Sequence, residues 1–139
     1  MYLPGDRLLY TGDILFKDAH PLVWAGPVSN WIAACDRLCE LEVDVVVPGH
    51  GPLTTLEGLR EARIYFKRLT EQARDRFDAG MTVEEAAWDI QLEEFTHWID
   101  AERIYVNVDT LYREFAGDTS EADVLALFAG MGRLTRSKF

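Results

Sequence analysis

The chain has 139 residues, of which 24 are acidic and 14 basic, for a net charge of −10. Hydrophobic residues make up 48% of it, with 4 Trp, 5 Tyr and 7 Phe, which is enough apolar surface to bury a core and too much to leave disordered in water. Charge interrupts the apolar runs within a few residues, which excludes a membrane-spanning helix, and the acidic balance argues against a nucleic-acid partner, whose phosphates need a basic face.

The start, Met1 to Asp6, has neither the basic residues nor the apolar stretch of a signal peptide, so cytoplasm is the expected compartment. Arg7 to Thr11 is a short apolar run that predicts a buried strand ending at Gly12-Asp13. Ile14 to Pro27, with two prolines and a glycine, predicts a loop with apolar anchors. Ser29 is a plausible N-cap for a helix from about Asn30 to Leu41, carrying Trp31, Ala34, Cys35, Leu38 and Leu41 on one face. Cys35 and Cys39 share a face of that helix and are expected as free, buried thiols; as a zinc pair they would lack further Cys or nearby His ligands. Asp44 to Val47 predicts a second strand, halted by Pro48-Gly49-His50-Gly51-Pro52. Strand, helix, strand over this length is a βαβ unit, with parallel strands and a right-handed crossover.

The remainder is helical. Thr54 or Thr55 caps a long helix to about Ala79, lined by Leu59, Ala62, Phe66, Leu69, Ala73 and Phe77 and stopped by Gly80. Thr82 and Glu85 form a capping box for a helix from Val83 to Ile90. A connector through His97-Trp98 leads to a helix over about Ala101 to Phe115, and a last helix over Ser120 to Ala129 precedes a frayed basic tail. Six basic residues lie between Arg60 and Arg76, and seven acidic ones between Glu84 and Glu102; they predict two solvated faces or helices docked with complementary charge. Residues 1–54 and 55–139 thus differ in character and are expected to pack as one unit.

Two short stretches carry chemistry. Thr11-Gly12-Asp13 sets a carboxylate at the C-terminal end of the first predicted strand, and Val47-Pro48-Gly49-His50-Gly51 sets an imidazole at the end of the second. In a parallel βαβ unit both emerge at the edge where open α/β sheets bind ligands, so Asp13 and His50 are candidate ligands of one metal ion. The stretches LLYTGDILF and VDVVVPGHGPL together resemble the C-terminal half of metallo-β-lactamase-fold hydrolases, closely over Leu8 to Thr54 and more loosely through Glu114. The resemblance implies the C-terminal part of an αββα sandwich followed by a helical tail. It implies two divalent metal ions, zinc, with Asp13 bridging them and His50 holding the second. The implied activity is metal-dependent hydrolysis of an ester, thioester, lactam or related bond.

The family's first metal motif, His-x-His-x-Asp-His, is absent: the chain's three histidines are His20, His50 and His97, far apart in sequence. His20 is expected to serve loop packing and His97 to be a satisfied structural histidine; no residue is assigned a catalytic role. A catalytic zinc usually has three protein ligands plus water, so Asp13 and His50 alone predict weak metal binding and no hydrolysis. Two parallel strands also leave both sheet edges open. The chain is therefore expected to form a homo-oligomer or to depend on a missing N-terminal half. The alternative is a non-catalytic, self-associating or partner-binding module, with Trp24, Trp31, Trp88 and Trp98 as interface anchors or as plain core.

Overall fold

A computed structural model describes all residues, 1–139. Three strands form one sheet in the order β1 (Tyr2–Leu3), β2 (Leu8–Phe16), β3 (Val45–His50). The β2–β3 pair is parallel, joined by α1 (Val28–Cys39), as the βαβ reading requires. β1 was not expected. It is a two-residue strand, too short for any periodic signal, that folds back antiparallel so that Tyr2 faces Leu9 and Leu3 faces Leu8.

Both main strands overrun their predicted ends. Gly12, at φ +56, bends β2 without ending it, and the register against β3 shifts on either side of Gly12 before Phe16 comes level with His50. β3 continues through Pro48-Gly49 because it lies at the sheet edge, where a residue lacking an N–H is tolerated. The edge expectation is likewise corrected in part. β1 covers the start of β2, and Val46 exchanges both backbone hydrogen bonds with Thr54 on the outer side of β3.

The helices are α1, α2 (Leu56–Asp78), α3 (Val83–Asp89), α4 (Ile104–Ala116) and α5 (Val124–Lys138), with single 3-10 turns at Glu93–Phe95 and Ala101–Arg103. α1 starts earlier than expected, after Pro27 and with no side-chain cap; Ser29 instead donates from its hydroxyl to Glu114. α2 has the predicted Thr55 cap, and α3 the predicted capping box. The C-terminal tail is not frayed. α5 is capped by Asp123 and runs to Lys138, burying Leu127 and Leu134.

One apolar cluster lies under the sheet, where Leu9, Leu15 and Val46 meet Cys35, Leu59 and Ala62 from α1 and α2. The larger cluster lies among the helices, around Tyr65, Phe66, Leu69, Ala73, Ile90, Trp98 and Leu111. α2 contributes to both. Of the four tryptophans, Trp98 is core, Trp31 packs against it, and Trp24 and Trp88 are exposed. The segregated charges are partly docked across elements, Arg76 to Asp89 at 2.9 Å and Arg68 to Glu94 at 3.5 Å. No helix is long and apolar enough to cross a membrane.

Candidate metal-ligand pair

Asp13 sits inside β2 at its irregularity, and His50 is the last residue of β3. The sheet brings them together: His50 Nε2 lies 3.2 Å from Asp13 Oδ1, and both side chains are largely exposed to solvent. Two features hold this corner open. A Cβ on Gly49 would come within 2.6 Å of Asp13 Oδ1 and of the Gly12 carbonyl, so only glycine leaves the carboxylate its place. Gly51, at φ +95, lies against the Lys17 carbonyl, where a side chain would collide. The Lys17 N–H donates to the His50 carbonyl at 2.8 Å, fixing the backbone at this corner.

Beneath the imidazole lies Phe16, with ring centroids 4.3 Å apart and planes inclined by 13°. The Arg103 guanidinium is 5.6 Å from the centre of the same phenyl ring. The motif LLYTGDILF ends in Phe16, but nothing in its spacing showed that the phenyl would reach His50; that follows only from the shifted register.

The remaining candidates are elsewhere. His20 packs the loop, as expected. It is buried; its Nδ1 and the Tyr65 hydroxyl share a hydrogen bond of 3.0 Å, and burial lowers its pKa from 6.5 to about 4. Asn107 donates to Tyr65 and to the Pro21 carbonyl, and accepts from the Val23 N–H, tying the loop to α2 and α4. His97 corrects the structural reading: it is exposed and makes no protein hydrogen bond, because the 3-10 turn before it turns the neighbouring Trp98 inward instead. Asp18 pairs with Lys17, and Asp100 with Arg103 at 2.9 Å. Cys35 and Cys39 are free; burial pushes the Cys35 thiol up to about 11, which leaves it protonated and unreactive at neutral pH. A groove of about 700 Å³ between the Trp24–Pro27 loop and the α4–α5 connection does not include Asp13 or His50.

The pair suits a divalent cation in kind. A carboxylate oxygen and an imidazole nitrogen are both zinc donors, and two donors about 2.0–2.1 Å from a tetrahedral zinc stand roughly 3.3 Å apart, close to the separation seen. It falls short in number: no group of three His, Cys, Asp or Glu side chains comes together anywhere in the chain. The comparison with protein families bears on this corner. Residues 1–50 match the Metallo-beta-lactamase superfamily. The match spans β1 to β3 and holds both Asp13 and His50, in a superfamily whose members usually bind divalent metals. Among solved structures, a double mutant of a sec-alkyl sulfatase superposes on 91% of this chain with a TM-score of 0.63 and 17% identity. That likeness is one of fold, and it extends past residues 1–50 into the helices. The chain spans 23% of that sulfatase's chain. A comparison with curated proteins finds no match.

Proposed function

We propose that these residues form the C-terminal part of a metal-dependent hydrolase of the metallo-β-lactamase superfamily acting on an ester, thioester, lactam or related bond. In this reading Asp13 and His50 are two of the ligands of a two-metal centre, zinc being the metal, and the other ligands come from polypeptide outside these residues. When bound, the metal pair supplies an activated water. This chain's own contribution is to hold one carboxylate and one imidazole at fixed separation at the strand ends, and by itself it is not a catalyst. The observation that carries the reading is the convergence of Asp13 and His50 at 3.2 Å beside the Gly49 cradle. The likeness to a sec-alkyl sulfatase makes a sulfate ester the first substrate to test.

The test is zinc titration of the chain and of its Asp13→Ala and His50→Ala variants by calorimetry, with hydrolysis of 4-nitrophenyl esters and sulfates followed alongside. Weak zinc binding lost in both variants is expected. Hydrolysis is expected only after adding a polypeptide bearing the His-x-His-x-Asp-His half. Zinc binding unchanged in both variants overturns the reading.

A second reading, a non-catalytic module that associates with another copy of itself, is favoured by a separate observation. The sheet face turned away from α1 and α2 carries Leu8, Tyr10, Val45 and Val47, and no helix covers it; Tyr10 and Val45 are exposed.

A further inference from the structure

We propose that Phe16 is a positioning residue that aims the His50 imidazole at Asp13, an inference that rests on His50 being a metal ligand. An imidazole at a strand end with more than half its side chain exposed has several rotamers open to it. A single contact at 3.2 Å to a still more exposed carboxylate does not by itself select one of them. Phe16 does. Its ring is buried, so it is fixed, and its face lies flat under the imidazole at 4.3 Å. Stacking on that shelf fixes the plane of the imidazole, and the Asp13 contact then fixes its direction within that plane. With the plane so held, Nε2 meets Oδ1 at 3.2 Å.

The shelf is itself held from the helical side. Arg103 approaches the Phe16 ring, and it is anchored by the Asp100 carboxylate at 2.9 Å and by the His20 carbonyl at 3.0 Å. His20 in turn is locked against Tyr65 of α2. A continuous set of contacts thus runs from the helical core to the ligand ring. It exists only because the shifted register of β2 places Phe16 beside His50.

The experiment compares the intact chain with Phe16→Leu, Phe16→Tyr and His50→Ala. Two quantities are measured: the chemical shifts of the His50 ring protons in the metal-free protein, and the affinity for zinc. The phenyl face should displace the imidazole protons upfield. Phe16→Leu, which keeps an apolar side chain in the core, should abolish the displacement and weaken zinc binding about three- to ten-fold. Phe16→Tyr should preserve both. If Phe16→Leu removes the displacement and zinc affinity is unchanged while His50→Ala abolishes binding, Phe16 does not position the ligand and the ligand reading stands. If His50→Ala leaves zinc binding intact, the ligand reading fails and the positioning role fails with it.

Discussion

His20 shows how one buried side chain makes the whole fold sensitive to pH. It lies among the Tyr65 hydroxyl, the Phe95 carbonyl, Arg103, Asp100 and Lys138, and burial, the largest effect on it, lowers its pKa from 6.5 to about 4. Arg103 and Lys138 push in the same direction, while Asp100 and the Phe95 carbonyl oppose it. Between those two values the unfolded chain binds a proton that the folded chain refuses. Stability from this group is therefore complete above pH 6.5, declines as the pH falls toward 4, and is level below. The full decline is about 3 kcal/mol. In urea unfolding at pH 7.5 and pH 4.2, the wild type should lose about 2–3 kcal/mol more than His20→Gln between the two conditions. Carboxylate titrations common to both proteins cancel in that difference. Equal losses in the two proteins would show that His20 is protonated in the folded state.

At the level of elements, α5 is what joins the chain's end to the helical core. Leu134 is 1% exposed, Arg133 reaches Glu84 of α3 at 3.0 Å, and Lys138 Nζ donates to the Ala87 and Ile90 carbonyls at 3.2 and 2.9 Å. Those carbonyls form the C-terminal end of α3, where the helix dipole favours a cation. Leu134→Ala should cost about 2–4 kcal/mol in urea unfolding, and Lys138→Ala about 1 kcal/mol. A Leu134→Ala protein as stable as the wild type would mean that the tail does not dock. This element is also where the sequence was hardest to interpret. α2 shows its extent through an unbroken apolar period between Thr55 and Gly80, both local signals. α5 hides its own behind Gly130 and Gly132, which look like helix breakers, yet Gly130 is where the Tyr105 ring lies against the helix. The same distinction applies at the Asp13–His50 pair. Asp13 and His50 stand out because each directly follows a glycine near the end of a predicted strand, whereas Phe16 and Arg103 become relevant only through register and long-range packing, which no local pattern encodes.

For the molecule as a whole, the deciding asymmetry is that helices cover one sheet face only. Leu9 and Val46 point into the cluster shared with α1 and α2, while the alternate residues Leu8, Tyr10, Val45 and Val47 line the other face. An apolar antiparallel or mixed sheet face left in water is a surface for association, and the second half of β2 has no strand beyond it on the β1 side. Opposing association is a net charge of −10 on each copy. Like-charge repulsion acts over about 10 Å at 0.1 M salt and about 3 Å at 1 M, whereas apolar contact is not screened. The isolated chain of 15.8 kDa should therefore shift from monomer toward dimer as salt rises from 0.05 to 0.5 M, as measured by size exclusion with light scattering. Replacing Tyr10 and Val45 together by lysine should keep it monomeric throughout, because the charges sit on the contact face while the buried side of the sheet is untouched. A dimer that persists in that double variant would place the interface on the helices instead. A wild type that stays monomeric at high salt would show that β1 and the rim pair of Arg7 with Asp44, at 2.9 Å, protect the sheet well enough in water.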